Sequence, residues 1–107
     1  MFYMIATFDL RFVGATPMDV ERHYLERHVP LARRLPGLRA YVVGTLAATP
    51  GIPADRRQGA LLAFESEDAW RAAYRSPVGR ELRDDEKRLI ADPRVVLLRG
   101  DEIVPTP

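Results

Sequence analysis

The sequence predicts an α+β fold in which a four-stranded antiparallel sheet carries helices on one face. Three observations lead there. Four segments, residues 1–12, 38–46, 59–65 and 94–104, are dense in β-branched, aromatic and large apolar residues. Two intervening stretches open on a cap followed by proline, Thr16-Pro17 and Ser76-Pro77, the signature of a helix start. The chain has 107 residues, room for one domain and one core.

Residues 1–12 read as a strand because Ala6, Phe8, Leu10 and Phe12 alternate with Thr7, Asp9 and Arg11, and Gly14 ends it. Thr16 then caps a helix whose positive end holds Asp19 and Glu21. Val20, Tyr24, Leu25, His28, Leu31, Ala32 and Leu35 form its apolar stripe, while Asp19, Arg22, His23, Glu26, Arg27 and Arg34 fall outward. Pro30 lies inside this pattern, lacks an amide and crowds the Glu26 carbonyl, which predicts a kink or break just after His28. Pro36-Gly37 closes the segment.

In the second strand Leu38, Ala40 and Val42 alternate with Arg39, Tyr41 and Val43. Residues 47–58 hold two prolines, a glycine and an Asp-Arg-Arg cluster and read as an exposed loop, so the strands at 38–46 and 59–65 form a hairpin. Ser66 caps a short helix with Glu67 and Asp68 at its start and Ala69, Trp70, Ala73 and Tyr74 following. A second helical piece, residues 78–91, carries Leu82, Leu89 and Ile90 and ends at Asp92-Pro93. Residues 94–104 are the last strand, and the tail 105–107 reads as loose. The order β-α-β-β-α-β is that of a ferredoxin-like sandwich in a single domain, residues 1–104.

Two helical elements cover one face of such a sheet. The strands are nonetheless apolar on both faces, as in Met4-Ile5, Val42-Val43, Leu61-Leu62 and Val95 through Leu98. A bare apolar face needs a cover, and the economical one is a second copy, sheet against sheet, giving a dimeric α/β barrel.

Composition removes several classes of function. Sixteen Lys and Arg against fifteen Asp and Glu give a formal charge of +1, with no basic excess for nucleic acid. There is no cysteine, hence no disulfide, thiolate catalysis or thiolate metal site. The longest uncharged run, residues 40–54, is too short and too broken to cross a bilayer. The N-terminus lacks the basic start and small-residue cleavage site of a secretion signal, so a cytoplasmic location is expected. All but Lys87 of the basic residues are Arg, which reads as genome composition. No GxGxxG, Walker or GxSxG motif is present. His23 and His28, five apart, point roughly 140° from each other on a regular helix and cannot share a metal ion there; no metal and no cofactor are expected.

His28 is the residue that stands out. It lies on the apolar stripe one turn after Tyr24, so the pair addresses one small volume. An imidazole of near-neutral pKa carries protons, and a phenol beside it polarises a carbonyl or hydroxyl. Spacing alone equally describes a core histidine bonded to a carbonyl freed by Pro30. His23 reads as a surface residue. Asp9 and Arg11 share the polar face of the first strand, and Arg39 and Tyr41 share a face of the second; these four are candidate substrate-binding residues or plain strand faces. Trp70 and Tyr74 read as core packing, and residues 83–88 as a solvated helix face.

The stretch Tyr24-Leu25-Glu26-Arg27-His28-Val29-Pro30-Leu31, followed by Leu35-Pro36-Gly37-Leu38-Arg39-Ala40-Tyr41, resembles the hallmark of the EthD family, named for an ethyl tert-butyl ether degradation cluster. Phe64-Glu65-Ser66, Ser76-Pro77 and Asp92-Pro93 are similar to family features as well. The resemblance implies a dimeric α/β barrel and makes His28 a pocket residue. It leaves the reaction open, since EthD-like and related barrels include isomerases, cyclases, decarboxylases, cofactor-free oxygenases, haem proteins and members without assigned activity. The expectation is a cofactor-independent enzyme of isomerase, lyase, cyclase or oxygenase type acting on an apolar oxygenated small molecule, with His28 and Tyr24 catalytic. The alternatives are a non-catalytic dimer that binds a hydrophobic metabolite or serves a partner enzyme, and a haem-binding barrel.

Overall fold

The computed structural model describes residues 1–11 and 16–104. The expected strand end at Phe12, the turn at Gly14 and the tail 105–107 lie outside the described residues. Strands β1 (Phe2–Leu10), β2 (Ala40–Thr45), β3 (Gln58–Phe64) and β4 (Ile90–Arg99) form one antiparallel sheet in the order β2-β3-β1-β4. Helices α1 (Pro17–His23), α2 (Val29–Arg33), α3 (Glu67–Arg75) and α4 (Pro77–Leu89) make the second layer. This is the ferredoxin-like α+β fold that the order of elements predicts.

The register explains which residues meet. Tyr41, Leu62, Met4 and Leu97 stand in one row across the sheet, and Val43, Ala60, Ala6 and Val95 in the next but one. Both rows face the helices, where Phe64, Leu62, Leu82 and Ala73 make one buried cluster and Phe8, Val20, Tyr24 and Leu89 another. The row between them, Val42, Leu61, Ile5 and Val96, faces the other way. On that side Val42 and Val96 are each 61% exposed, and Leu98 is half exposed. The apolar residues of β4 are thus uncovered on both sides, with Val95 and Leu97 also open to solvent.

The caps form as the sequence indicates. Thr16 Oγ1 accepts the Asp19 amide at 3.2 Å, and Ser66 Oγ the Ala69 amide at 3.1 Å. Ser76 joins α3 to α4: its hydroxyl donates to the Ala73 carbonyl at 2.6 Å and accepts from the Gly79 amide at 3.1 Å.

Four details differ from the sequence expectation. Pro30 causes no break: the chain widens at Tyr24–His28 into a π-helical turn, the Val29 amide reaching the Tyr24 carbonyl, and the helix continues. One wide turn absorbs the missing proline amide without parting the helix. Leu25, assigned to the apolar stripe, is 55% exposed, because the wide turn rotates it away from the core. The last strand begins at Ile90, so Asp92-Pro93 lies inside it, where the pairing with β1 shifts and Asp92 adopts a φ of 50°. β4 is an edge strand and tolerates a bulge with proline there. Finally, Arg56 in the 47–58 loop is buried: it donates to the Asp92 carbonyl and carboxylate at 2.7 and 2.9 Å and to Asp55 at 2.6 Å, tying that loop to the bulge.

Candidate active site

Small residues open a space between the layers. Ala6 and Ala60 stand side by side mid-sheet, with Ala32 above them, where larger side chains would fill the gap. The result is a cavity of about 40 Å³ bounded by Met4, Ala6, Phe8, Ala32, Ala60, Leu62, Leu82 and Ile90. Its polar wall is Tyr24 and His28 from the π turn, Tyr41 from β2, Tyr74 from α3 and Glu86 from α4. The lining has the make-up of a small-molecule site, mostly apolar with a few converging polar groups, in a volume far below the roughly 300 Å³ of an ordinary pocket, so a ligand must part the two layers to enter.

His28 is held by a buried carboxylate. Its Nδ1 lies 2.8 Å from Asp85 Oδ2, while Asp85 Oδ1 lies 2.7 Å from His23 Nε2. Burial pushes the Asp85 pKa up, but the hydrogen bonds from His23 and His28 outweigh it and hold the carboxyl below its ordinary value. An ionised carboxylate only accepts, so both ring nitrogens donate. The His28 proton is therefore on Nδ1, and Nε2 keeps its lone pair with no protein partner among the described residues. Burial lowers the His28 pKa by more than Asp85 raises it, so the ring is neutral at neutral pH. A neutral imidazole, oriented from behind by a carboxylate and open in front, is the arrangement of a general base.

Tyr24 stacks on this ring at a centroid distance of 5.6 Å and an angle of 24°. Residues four apart are brought nearly in line by the wide turn. The Tyr24 hydroxyl is buried without a hydrogen-bond partner, and burial raises its pKa, so it is a proton donor with nothing yet to donate to. An unpaired buried hydroxyl costs about 1–3 kcal/mol. Tyr24→Phe is accordingly expected to raise the thermal midpoint, by about 1 kcal/mol of stability, while weakening any activity that uses the hydroxyl. A melting curve with an unchanged or lower midpoint would show that the hydroxyl is satisfied in solution.

The sequence candidates divide. Tyr24, His28 and Tyr41 meet at the cavity; burial first, and the nearby Tyr24 and Glu86, raise the Tyr41 pKa and keep it a phenol. Asp9, Arg11 and Arg39 lie outside it. Asp9 accepts the Arg57 amide at 2.9 Å, Arg11 donates to the Ile90 carbonyl at 2.6 and 3.1 Å, and Arg39 lies 3.6 Å from Glu65. Each tethers backbone or a neighbouring side chain at the sheet margin, which is where the register puts it.

His23 is not a free surface residue. On a regular helix it would point away from His28, but residue i+5 of a π turn comes nearly above residue i, so both imidazoles reach one carboxylate. Nor is 83–88 a solvated face throughout: Asp85 is buried and Glu86 half-buried, whereas Asp84 and Lys87 are exposed. The missed signal was spacing. Val78, Leu82 and Leu89 mark the inner stripe of α4, and positions 85 and 86 fall on it. Trp70 and Tyr74 do pack in the core, with Trp70 5.1 Å from Phe2, and Tyr74 also reaches the cavity. Among the described residues no group of three or more His, Asp or Glu is arranged to hold a metal ion, and no helix is long and apolar enough to cross a membrane.

Comparison with known proteins agrees with this fold. An uncharacterized 11.0 kDa protein from the thcB-thcC intergenic region of Rhodococcus erythropolis is 28% identical over 90 residues, 84% of this chain and 87% of that protein. A dimeric ferredoxin-like protein of unknown function from Thermobifida fusca superposes with a TM-score of 0.66 at 24% identity, covering 91% of this chain and 88% of its own. SnoaB, a cofactor-independent oxygenase from Streptomyces nogalater, superposes with a TM-score of 0.65 at 18% identity, covering 98% and 97%. The sequence pattern of the EthD domain matches residues 13–93, a span that takes in all four helices and reaches the β4 bulge, and the chain belongs to the EthD family.

Proposed function

We propose that this protein is a small cofactor-independent enzyme that moves a proton within an apolar oxygenated molecule, such as a lactone, a phenol or a polyketide-like intermediate. One observation carries the reading: His28 is fixed through Nδ1 to buried Asp85 and leaves Nε2 free at an apolar cavity, beside the unpartnered Tyr24 hydroxyl. A histidine kept only for packing would have both nitrogens committed to the protein. Tyr24 polarises a substrate oxygen, His28 takes the adjacent proton, and Tyr41 bounds the space on the sheet side. The fold's likeness to a cofactor-independent oxygenase supports chemistry by side chains alone.

The test is proton exchange on a small lactone. In D2O the enzyme should speed deuterium entry at the carbon next to the carbonyl of α-angelica lactone, a compact β,γ-unsaturated lactone. Exchange no faster than in buffer would count against the proposed chemistry.

The same reading makes the active unit a homodimer. The row Val42, Leu61, Ile5 and Val96, with Leu98, forms an apolar sheet face that a second copy would cover, and the Thermobifida fusca neighbour is described as dimeric. Light scattering should give about twice the 12.1 kDa chain mass. Val96→Asp would leave a charge in the covered face and should shift the protein to monomer. A monomeric wild type at micromolar concentration would undo the barrel.

A further inference from the structure

Among the described residues, Glu86 has the only carboxyl group on the cavity wall. It follows Asp85 on α4, and one helical step turns it from the histidines towards the cavity. Facing it are Tyr24 and His28 from the π turn, Tyr41 from β2 and Tyr74 from α3, with Arg83 and Asp85 beside it on its own helix. The Arg83 guanidinium is set over the Tyr74 ring, 5.6 Å from its centre. The ion pairs of α4 join Lys87 to Asp84 and Arg88 to Asp85, and leave Glu86 without one among the described residues.

A carboxyl with three phenols around it and no cation bound to it has little reason to ionise. Burial raises its pKa to about 7, with Asp85 adding to the rise and Arg83 opposing it. His28, in the same space, is held neutral. A base ready to accept and an acid ready to donate thus share one cavity at one pH, the division of labour expected where environments push two groups apart.

We propose that Glu86 is the general acid that works with His28; with a β,γ-unsaturated lactone as the probe, the two would carry it to its conjugated isomer. This rests on the proton-transfer reading above and names its second catalytic group. His28 Nε2 takes the proton from the carbon between the carbonyl and the double bond. The freed electron pair makes a dienolate whose oxygen receives a hydrogen bond from Tyr24. Glu86 then gives its carboxyl proton to the γ-carbon as the double bond moves into conjugation. The enzyme is left as imidazolium and carboxylate, and one proton passed between them, directly or through solvent, restores it. No oxidant or reductant is consumed.

The two half-reactions can be read separately with α-angelica lactone in D2O. Wild type should both exchange the α-proton and form the conjugated lactone. Glu86→Gln keeps the shape and removes the proton; conversion should fall by about 10²-fold or more, and by far more than exchange does. His28→Ala should lose both. A Glu86→Gln variant that converts at the wild-type rate overturns the assignment, as does a folded one that has lost exchange too, since Glu86 would then act before proton removal. A wild type inert to the lactone defeats the chemistry of the preceding section, and the acid is then judged by its own titration. The Glu86 carboxyl carbon, followed by NMR, should titrate near 7; a midpoint in the ordinary glutamate range, about 4.3, overturns the proposal.

Discussion

Replacing His28 by alanine should abolish turnover and leave the fold standing. General-base removal costs about 10² to 10⁴-fold in rate, and here no second group replaces it. The other nitrogen groups near Asp85 are His23, which faces the opposite carboxylate oxygen, and the guanidinium of Arg88, 3.5 Å from Oδ1 and always protonated. Both remain in the variant, so the buried Asp85 keeps partners and the helices stay joined. Thermal melting and light scattering should therefore resemble wild type while lactone exchange disappears. Activity surviving in a folded His28→Ala protein would sink the mechanism.

The pH dependence follows from the same group. Burial sets the folded His28 pKa below the ordinary 6.5. As pH falls through that lowered value the imidazole protonates and proton abstraction should stop, giving an acid limb that lies below pH 6.5. Stability has the same sign. The folded state binds this proton less well than the unfolded chain, so His28's contribution is intact above the unfolded value and declines as pH drops below it. A rate profile whose acid limb lay above 6.5 would mean that the ring is not desolvated.

Gly79→Ala should cost about 3 kcal/mol of stability or more, the upper range of overpacking. A Cβ at Gly79 would lie 2.4 Å from the Ala73 carbonyl oxygen and 2.6 Å from Tyr74 backbone atoms. These are backbone contacts in the corner that Ser76 already closes from both sides, so relief requires α4 to part from α3. At roughly 4–8 °C per kcal/mol for a domain of this size, the thermal midpoint should fall by more than about 10 °C. The same shift would move Tyr74 and Glu86, so residual folded protein should be catalytically impaired. An unchanged midpoint would show that the two helices are not in contact at this corner.

The order of elements was readable because its signals are local. Period-two strands, Thr16, Ser66 and Ser76 caps and the prolines after two of them act over a few residues. Tyr24 and His28 were readable for the same reason, being one turn apart on an apolar stripe. Asp85 and Glu86 were not recognised, because the charges of 83–88 masked their place on the stripe that Val78, Leu82 and Leu89 define. His23 was misplaced because a regular helix was assumed as far as His28, where the structure has a π turn. The π turn is a response to a missing amide that spacing rules do not contain.

What the sequence determined alone was an α+β domain, the capped helices, and an imidazole and a phenol as the available chemical groups in a chain without cysteine. Only tertiary structure decided which nitrogen of His28 is free. That depends on Asp85, 57 residues away, reaching across from another helix to accept a hydrogen bond from Nδ1. Burial likewise raises the Glu86 pKa to about 7, where the same side chain in water would be a carboxylate. Protonation states belong to environments, and environments come from residues that the fold, not the chain order, makes neighbours.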